Sequence, residues 1–532
     1  MPSSHPPLVR TRLSMMMFLE FFIWGSWGVA ITGYAAKSGF STSEITWLGA
    51  VPAIGAIVSP LFVGLIADRF LAAQKMLCIL HLLGGACLIG AGFCGKYMVE
   101  TGDPNSFTLL LTLMLLNGMA FMPTIALVNS VAFRHIPDAD KFPRIAVLGT
   151  VGWIVAVLFA SVFLGGAATP NFLFQAGVGG ILLALYCLTL PDTPPKGAEA
   201  GGDVFGLKAF TLFKERSFLI FIVCVFLVSI PACGFFFTLM VPMLLQRGYP
   251  SPLALTSLNQ FAELIFMFSM PWFVAKLGLK RVIMIGMAAW GLRYLFFMCP
   301  EFSSALIGLV LHGFCYSFFY VGAYMWVDRR APAELKSSAQ SLLAFLLLGV
   351  GYLLGAKGLA GVMMEQSPPD LATMAAIEVE TDKPVKDAKL PRWDDPDAAT
   401  SAWRFLDLSS TVNNWLKKDD DQKEEEPNLD LAQQLDADKD GTITLAEVNK
   451  NVTVDGLLYS KEDLAAVFKT AHEKLELEGD VALIRKQWLA VQANKWARIW
   501  LWPAIGCFVV LIFFALAFHD TPSEGTKATE DS

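Results

Sequence analysis

The twelve residues Asp436-Ala-Asp438-Lys-Asp440-Gly441-Thr442-Ile443-Thr444-Leu-Ala-Glu447 set oxygen donors at the spacing of a calcium-binding loop. Asp436, Asp438 and Asp440 offer carboxylates, Thr442 its carbonyl, Thr444 a hydroxyl directly or through water, and Glu447 a bidentate carboxylate. Gly441 supplies the sharp turn at the sixth position, so the expected cofactor is Ca2+. A different chemistry is set up where the chain is apolar. Gln260 and Glu263 stand one helical turn apart and present an amide and a carboxyl on one face. Burying an ionisable group in hydrocarbon is costly, so such a carboxyl is a functional candidate by default, able to take a proton from one side and release it to the other. Glu20 is the second carboxyl of this kind and the rival proton carrier. Arg293 reads as snorkelling or pairing within its own half, His81 as a packing histidine, and His312 as a candidate site group. Trp24, Trp27 and Trp153 offer π faces on which a flat heterocycle can stack.

What positions these groups is a chain built for lipid. Its 532 residues are 55% hydrophobic and 16% charged, with a mean hydropathy of +0.53, where soluble domains carry about a quarter charged residues. The apolar excess falls into blocks of about 20 residues, the length that spans a bilayer core. They run from Leu13 to Ala35, Ile45 to Ala67, Met76 to Cys94, Phe107 to Val128, Ile145 to Gly165 and Asn171 to Leu190. Six more run from Phe218 to Leu244, Leu255 to Val274, Val282 to Cys299, Ser304 to Trp326, Ala339 to Val362 and Ala497 to Phe518. The first is too long and too aromatic for a signal peptide and is expected to remain as a span. The nine cysteines lack CxxC spacing and histidine partners, which predicts packing residues and no disulfide framework.

An all-α membrane protein of twelve helices in two six-helix halves, with a small helical insert, follows. Its segments are an N-terminal half (1–190), a linker (191–216), spans seven to eleven (217–362), an insert (363–496), span twelve (497–518) and a tail (519–532). Lysines and arginines crowd alternate short loops, as at Arg10/Arg12, Arg69/Lys75, Arg134/Lys141, Lys276/Lys280/Arg281 and Arg329/Arg330/Lys336. The positive-inside rule makes those loops, the linker and both termini cytoplasmic and puts the insert outside the cell membrane. Residues 436–447 are its EF-hand loop, with 431–435 and 445–449 as short flanking helices. Residues 460–475 and 484–493 resemble a second hand without metal, because Lys474 and Arg485 occupy its first and last ligand positions. An extracellular affinity of about 10⁻⁴ to 10⁻³ M would suit a structural calcium. Trp403 to Trp415 reads as a further short helix in an acidic linker.

Gly64-Leu-Ile-Ala-Asp68-Arg69 with Lys75 resembles the loop signature of the major facilitator superfamily. Phe22-Ile-Trp24-Gly-Ser-Trp27, Phe121-Met-Pro123-Thr124, Asn129, Phe142-Pro143 and Gly149-Thr150-Val-Gly152-Trp153 extend the likeness through the first half. Gln260-Phe-Ala-Glu263, Ala289-Trp290-Gly-Leu-Arg293 and Ser338-Ala339-Gln340 continue it. Together they resemble the nucleoside:proton symporters, the bacterial nucleoside permeases, over essentially the whole membrane portion. The resemblance implies an alternating-access transporter with solute near the midplane between the halves. It places Thr150, Gln260 and Glu263 among the solute-binding groups, with Trp153, and puts His312 and Tyr316 at aromatic site positions. Glu263, with Glu20 as rival, is the implied proton-coupling acid. The chain departs from the pattern at Ala146, where an arginine is expected, at Ser317, where an aspartate is expected, and at Cys233 and Phe236, where amides are. The expected partners are a nucleoside-like solute, protons and inner-membrane lipid, not nucleic acid. The departures motivate one alternative, a solute sensor descended from a transporter with a calcium-stabilised external module. No clustered nucleophile and base stands among the spans, so an enzyme is not expected.

Overall fold

The computed structural model describes residues 7–69, 71–101, 105–136, 142–194, 207–332, 334–366, 434–435, 444–454, 457–475 and 485–519. Helix dominates, as it must where a backbone in hydrocarbon has to satisfy its own polar groups. α1 spans Pro7–Trp27 and resumes as Ala30–Lys37 after Gly28 and Val29. α2 (Thr42–Arg69), α3 (Ala73–Thr101), α4 (Asn105–His135), α5 (Pro143–Phe163) and α6 (Asn171–Cys187) follow. Beyond a 3-10 segment at Leu207–Lys214, α7 covers Arg216–Thr238 and Met240–Gln246, α8 covers Pro252–Leu255 and Ser257–Leu277, and α9 covers Leu279–Met298. α10 comprises Phe302–Val310, His312–Phe314 and Gly322–Arg330, with a π-helical stretch at Cys315–Val321. α11 comprises Lys336–Ala344 and Ala360–Gln366, with π-helical stretches at Phe345–Gly351 and Leu354–Leu359. β1 (Val452–Val454) and β2 (Leu457–Tyr459) form an antiparallel hairpin, followed by α12 (Lys461–Leu475) and α13 (Arg485–Ala517).

Every predicted apolar block falls on a helix. By length and composition, ten helices among the described residues can cross a membrane: α1, α3 to α5, α7 to α11 and α13; α6 is a shorter apolar helix. α1 packs along α5 and α6, α3 on α4 and α6, and α2 on α4. In the second bundle α7 packs on α11, α8 on α10, and α9 on α10 and α13. Without a hydrophobic drive between helices in lipid, close backbone approach carries this packing. At Gly152 on α5 a Cβ would lie 2.1 Å from the Phe18 carbonyl oxygen of α1, and at Gly313 on α10 it would lie 2.6 Å from that of Ala262 on α8. All nine cysteines are free.

The two bundles meet most closely at the end bearing the 38–41 turn. There the Thr32 hydroxyl donates to the Phe237 carbonyl at 2.9 Å, and Gly33 and Gly49 of the first bundle abut Val241 and Thr238 of the second. The opposite end gathers the basic loops. Arg12 donates to the Thr189 carbonyl, Arg134 to that of Pro194, and Gln74 to Asp192, while Arg330 pairs with Glu215.

Two insert expectations change. The hairpin departs from an all-α plan, and residues 445–449 form a turn in place of a helix. Five residues cannot repay helix nucleation, and the Glu447 carboxylate instead accepts hydrogen bonds from the Thr444 amide (2.7 Å) and hydroxyl (2.9 Å). α13 begins at Arg485 and carries insert residues and membrane residues across 496/497 on one continuous helix. The calcium-loop residues Asp436, Asp438, Asp440 and Thr442 and the 403–415 segment lie outside the described residues, as do the side chains of 60–70.

The hairpin end of the insert sits across both bundles. Asn451 donates to the Ala36 carbonyl of α1 and accepts from the Lys461 amide at 2.9 Å, while the Trp496 indole donates to Gln246 of α7 at 3.0 Å. At its centre Asp463, 5% exposed, accepts from Ser460 (2.6 Å), Gln492 (2.9 Å) and Lys495 (2.8 and 2.7 Å). Burial alone would raise the Asp463 carboxyl, but the Lys495 charge and these hydrogen bonds outweigh it and hold it below the ordinary value of 3.8. A cavity of about 290 Å³ lies beside this pair, lined by Ala36, Phe40, Gln246, Glu365, Asn451 and Asp463 among others.

Candidate solute and proton site

α8 delivers the central acid. Glu263 is 9% exposed and Gln260, one turn earlier, is 6% exposed. Glu263 has no basic counter-ion among the described residues, and the Gln260 side-chain oxygen is buried without a hydrogen-bond partner there. Ser317, at the position expected to be an aspartate, reaches only the Glu263 backbone carbonyl, at 3.5 Å. Position 317 therefore supplies no acid to share the carboxyl's proton chemistry. Tyr316, 36% exposed in mid-helix, and His312 lie one turn apart on that facing helix, their rings 6.3 Å apart.

An aromatic row joins the two bundles and reaches His312 on the helix that faces this acid. Trp24 of α1 stacks on Phe237 of α7 (5.7 Å, 4°) and meets Trp153 of α5 edge-on at 5.4 Å. Phe237 stacks in turn on Tyr352 of α11 at 5.2 Å, and its neighbour Phe236 stacks on His312 at 4.8 Å. The indole nitrogens of Trp24 and Trp153 are buried and have no partner among the described residues. A row of flat faces with unspent donors suits a flat, polar solute. Thr150, half-buried one turn before Trp153 on α5, lies on the same helix as that donor. Trp27 instead packs edge-on against Phe121 of α4 at 6.3 Å and is fully buried, so it sits behind the row.

Arg293 does not snorkel, and it meets no acid among the described residues. It is 1% exposed, its guanidinium donates to His312 Nδ1 and to Asn259 Oδ1 (3.1 Å), and it lies over the rings of Phe236, Trp290 and Phe297. Asn259 was not among the expected residues, although a third polar side chain beside Gln260 in an apolar span is a signal of the same kind. Phe237 and Tyr352 carried no signal, because aromatic residues are common in membrane helices.

Glu20 is placed differently from the rival carrier expected. It is fully buried inside the first bundle, 2.9 Å from His81 Nε2, and accepts the Thr124 hydroxyl at 2.6 Å. His81 is thus a packing histidine whose ring nitrogen faces an acid. The pair ties α1 to α3 and α4, and the His81 ring meets Phe121 at 6.1 Å, which in turn meets Trp24 of the row at 6.1 Å.

Two helical bundles joined by an aromatic row, with a buried carboxyl lacking a counter-ion among the described residues, are the architecture of an α-helical membrane transporter. The chain belongs to the nucleoside H+ symporter family, whose model matches residues 8–373. It is 40% identical to YegT of Escherichia coli K12, over 67% of this chain and 84% of that protein. It is 31% identical to the xanthosine permease of the same strain, over 65% of this chain and 86% of the permease. The crystal structure of the nucleoside transporter NupG superposes with a TM-score of 0.59 at 25% identity, covering 68% of this chain and 92% of that one. A bacterial homolog of the human lysosomal transporter Spinster, inward-facing and unoccupied, gives 0.59 at 15% identity over 97% of this chain, which speaks for the fold alone. These relatives give the sensor alternative no support.

Proposed function

We propose that this protein imports nucleosides or closely related solutes with protons, Glu263 carrying the proton and Gln260, Thr150, Trp153, His312 and Tyr316 contacting the solute. One observation carries the reading: a buried carboxyl with no counter-ion among the described residues stands one turn from an amide whose oxygen has no partner there, on a helix facing the one that brings His312 to the aromatic row shared by both bundles. An ionisable group buried in hydrocarbon is costly and is kept for a function, which suits one that takes up and releases a proton during transport. Family membership and the likeness to permeases of xanthosine and nucleosides support the solute class. Glu20, already held by His81 and Thr124, is left to hold the first bundle together.

α2 and α6 complete twelve spans with the ten long helices, and the basic end faces the cytoplasm of an inner membrane. Both termini are then inside and the insert outside. The bundles meet at the outer end, which supports an inward-facing arrangement. Residues 436–447 bind one structural Ca2+ through Asp436, Asp438, Asp440, Thr442, Thr444 and Glu447. The contact of Glu447 with Thr444 is local and compatible with that role once the ion draws the carboxylate away.

The test is uptake of labelled uridine into proteoliposomes under an imposed proton gradient. For one proton per solute, each pH unit should support about tenfold accumulation. Glu263→Gln should abolish gradient-driven accumulation while Glu20→Gln, in whatever fraction folds, retains it. Unchanged coupling in Glu263→Gln would move the proton elsewhere, and binding without exchange would favour a sensor.

A further inference from the structure

The contact between Arg293 and His312 decides more than packing. An arginine carries five donors and no acceptor and stays protonated, so the ring nitrogen facing it must be a bare lone pair. Nδ1 of His312 is therefore the acceptor, and the ring's single proton resides on Nε2. A second proton would set an imidazolium against a guanidinium, both buried, with no carboxylate on Arg293 among the described residues. The same guanidinium is kept in place by acceptors and π faces, not by an acid. Asn259 receives it through Oδ1 at 3.1 Å while its own Nδ2 donates back to the Thr256 carbonyl at 2.8 Å, which fixes the orientation of that amide. Met240 Sδ lies 3.4 Å from Nη2, and Phe236, Trp290 and Phe297 surround the cation.

The other edge of the ring is differently placed. His312 Nε2 makes no hydrogen bond among the described residues, although the residue is only 6% exposed. The ring stacks on Phe236 at 4.8 Å and 17°, next to Phe237, which stacks on Trp24 of the other bundle. Its free N–H thus lies in the row that would receive a flat heterocycle.

We propose that Arg293 is a positioning residue that locks His312 as an Nε2–H donor, and that this donor reads an acceptor atom, a carbonyl oxygen or ring nitrogen, on the base of the solute. This rests on the nucleoside reading of the site. It also removes His312 from the proton path, since the ring cannot take a second proton while Arg293 faces it. A base presenting only donors at that edge is discriminated against.

A double-mutant cycle on uridine uptake separates positioning from structure. Glutamine at 312 places an amide N–H near the former Nε2 without needing a tautomer to be chosen, whereas asparagine reaches only the Nδ1 position. Loss of one such hydrogen bond corresponds to roughly tenfold in affinity, so Arg293→Gln should raise the uridine KM about tenfold with kcat changed less than about threefold. His312→Asn should do the same. In the His312→Gln background, whose own KM is raised by the lost ring stacking, adding Arg293→Gln should cost less than about twofold more. Equal tenfold losses in both backgrounds would overturn the assignment and make Arg293 a structural residue. If Arg293→Gln does not fold, Arg293→Lys, which still donates to Nδ1, should recover most of the wild-type KM; a lysine variant as poor as His312→Asn would refute the tautomer lock. A wild-type protein that takes up no nucleoside at all would overturn the functional reading beneath it, an outcome the unmutated control reports separately.

Discussion

Replacing Asp463 by asparagine should release the insert from the membrane bundles by about 3–5 kcal/mol, the cost of leaving one member of a buried ion pair alone. Lys495 is 6% exposed and spends its ammonium on both Asp463 oxygens, at 2.8 and 2.7 Å, so the asparagine variant strands a charge on the first insert-facing turns of α13. The same helix carries Trp496, which donates to Gln246 of α7, so loosening Asp463 frees the hairpin from both bundles. Native-state proteolysis of the insert in purified full-length protein reads the opening free energy directly when reclosing is fast. The expected increase in cleavage rate is about two to four orders of magnitude. Removing both charges, Asp463→Asn with Lys495→Met, should restore most of the protection, because a matched apolar replacement escapes the desolvation cost. The pH dependence has a fixed sign. The folded Asp463 carboxyl lies below its unfolded value, so the pair contributes fully above about pH 4 and its contribution is lost as pH falls through the folded value. A single variant cleaved at the wild-type rate, or a double variant no better than the single, would refute the argument that this pair docks the insert.

His81→Leu should destabilise the first bundle by about 3–5 kcal/mol, seen as a lower midpoint in thermal unfolding of the detergent-solubilised protein, because Glu20 would be left buried against Thr124 alone. Gly152→Leu should cost at least about 1–3 kcal/mol in the same assay and reduce folded yield, since the Phe18 carbonyl leaves no room for a side chain. Calcium titrated into the full-length protein should saturate one site near 10⁻⁴ to 10⁻³ M, a range to be checked as about that order, and Asp436→Ala with Asp440→Ala should abolish the binding isotherm.

The membrane class and the acid on α8 are properties of one-dimensional pattern. Blocks of about 20 apolar residues need no tertiary information to be recognised, and an ionisable side chain within one is conspicuous because hydrocarbon tolerates so few. The insert boundary was less readable. Residues 485–496 look like soluble sequence, yet they continue the membrane helix as α13, since a helix propagates once nucleated by the span below it.

Sequence by itself determined that Glu263 and Gln260 share a helical face, that Glu20 and Arg293 lie within spans, and that nine scattered cysteines form no framework. Only the tertiary structure decided what each buried charge meets: His81 for Glu20, His312 and Asn259 for Arg293, and no basic group among the described residues for Glu263. The physical reason is that a span's sequence fixes the depth and face of a side chain, whereas its protonation chemistry depends on atoms contributed within a few ångströms by other helices, and those contacts arise only from packing.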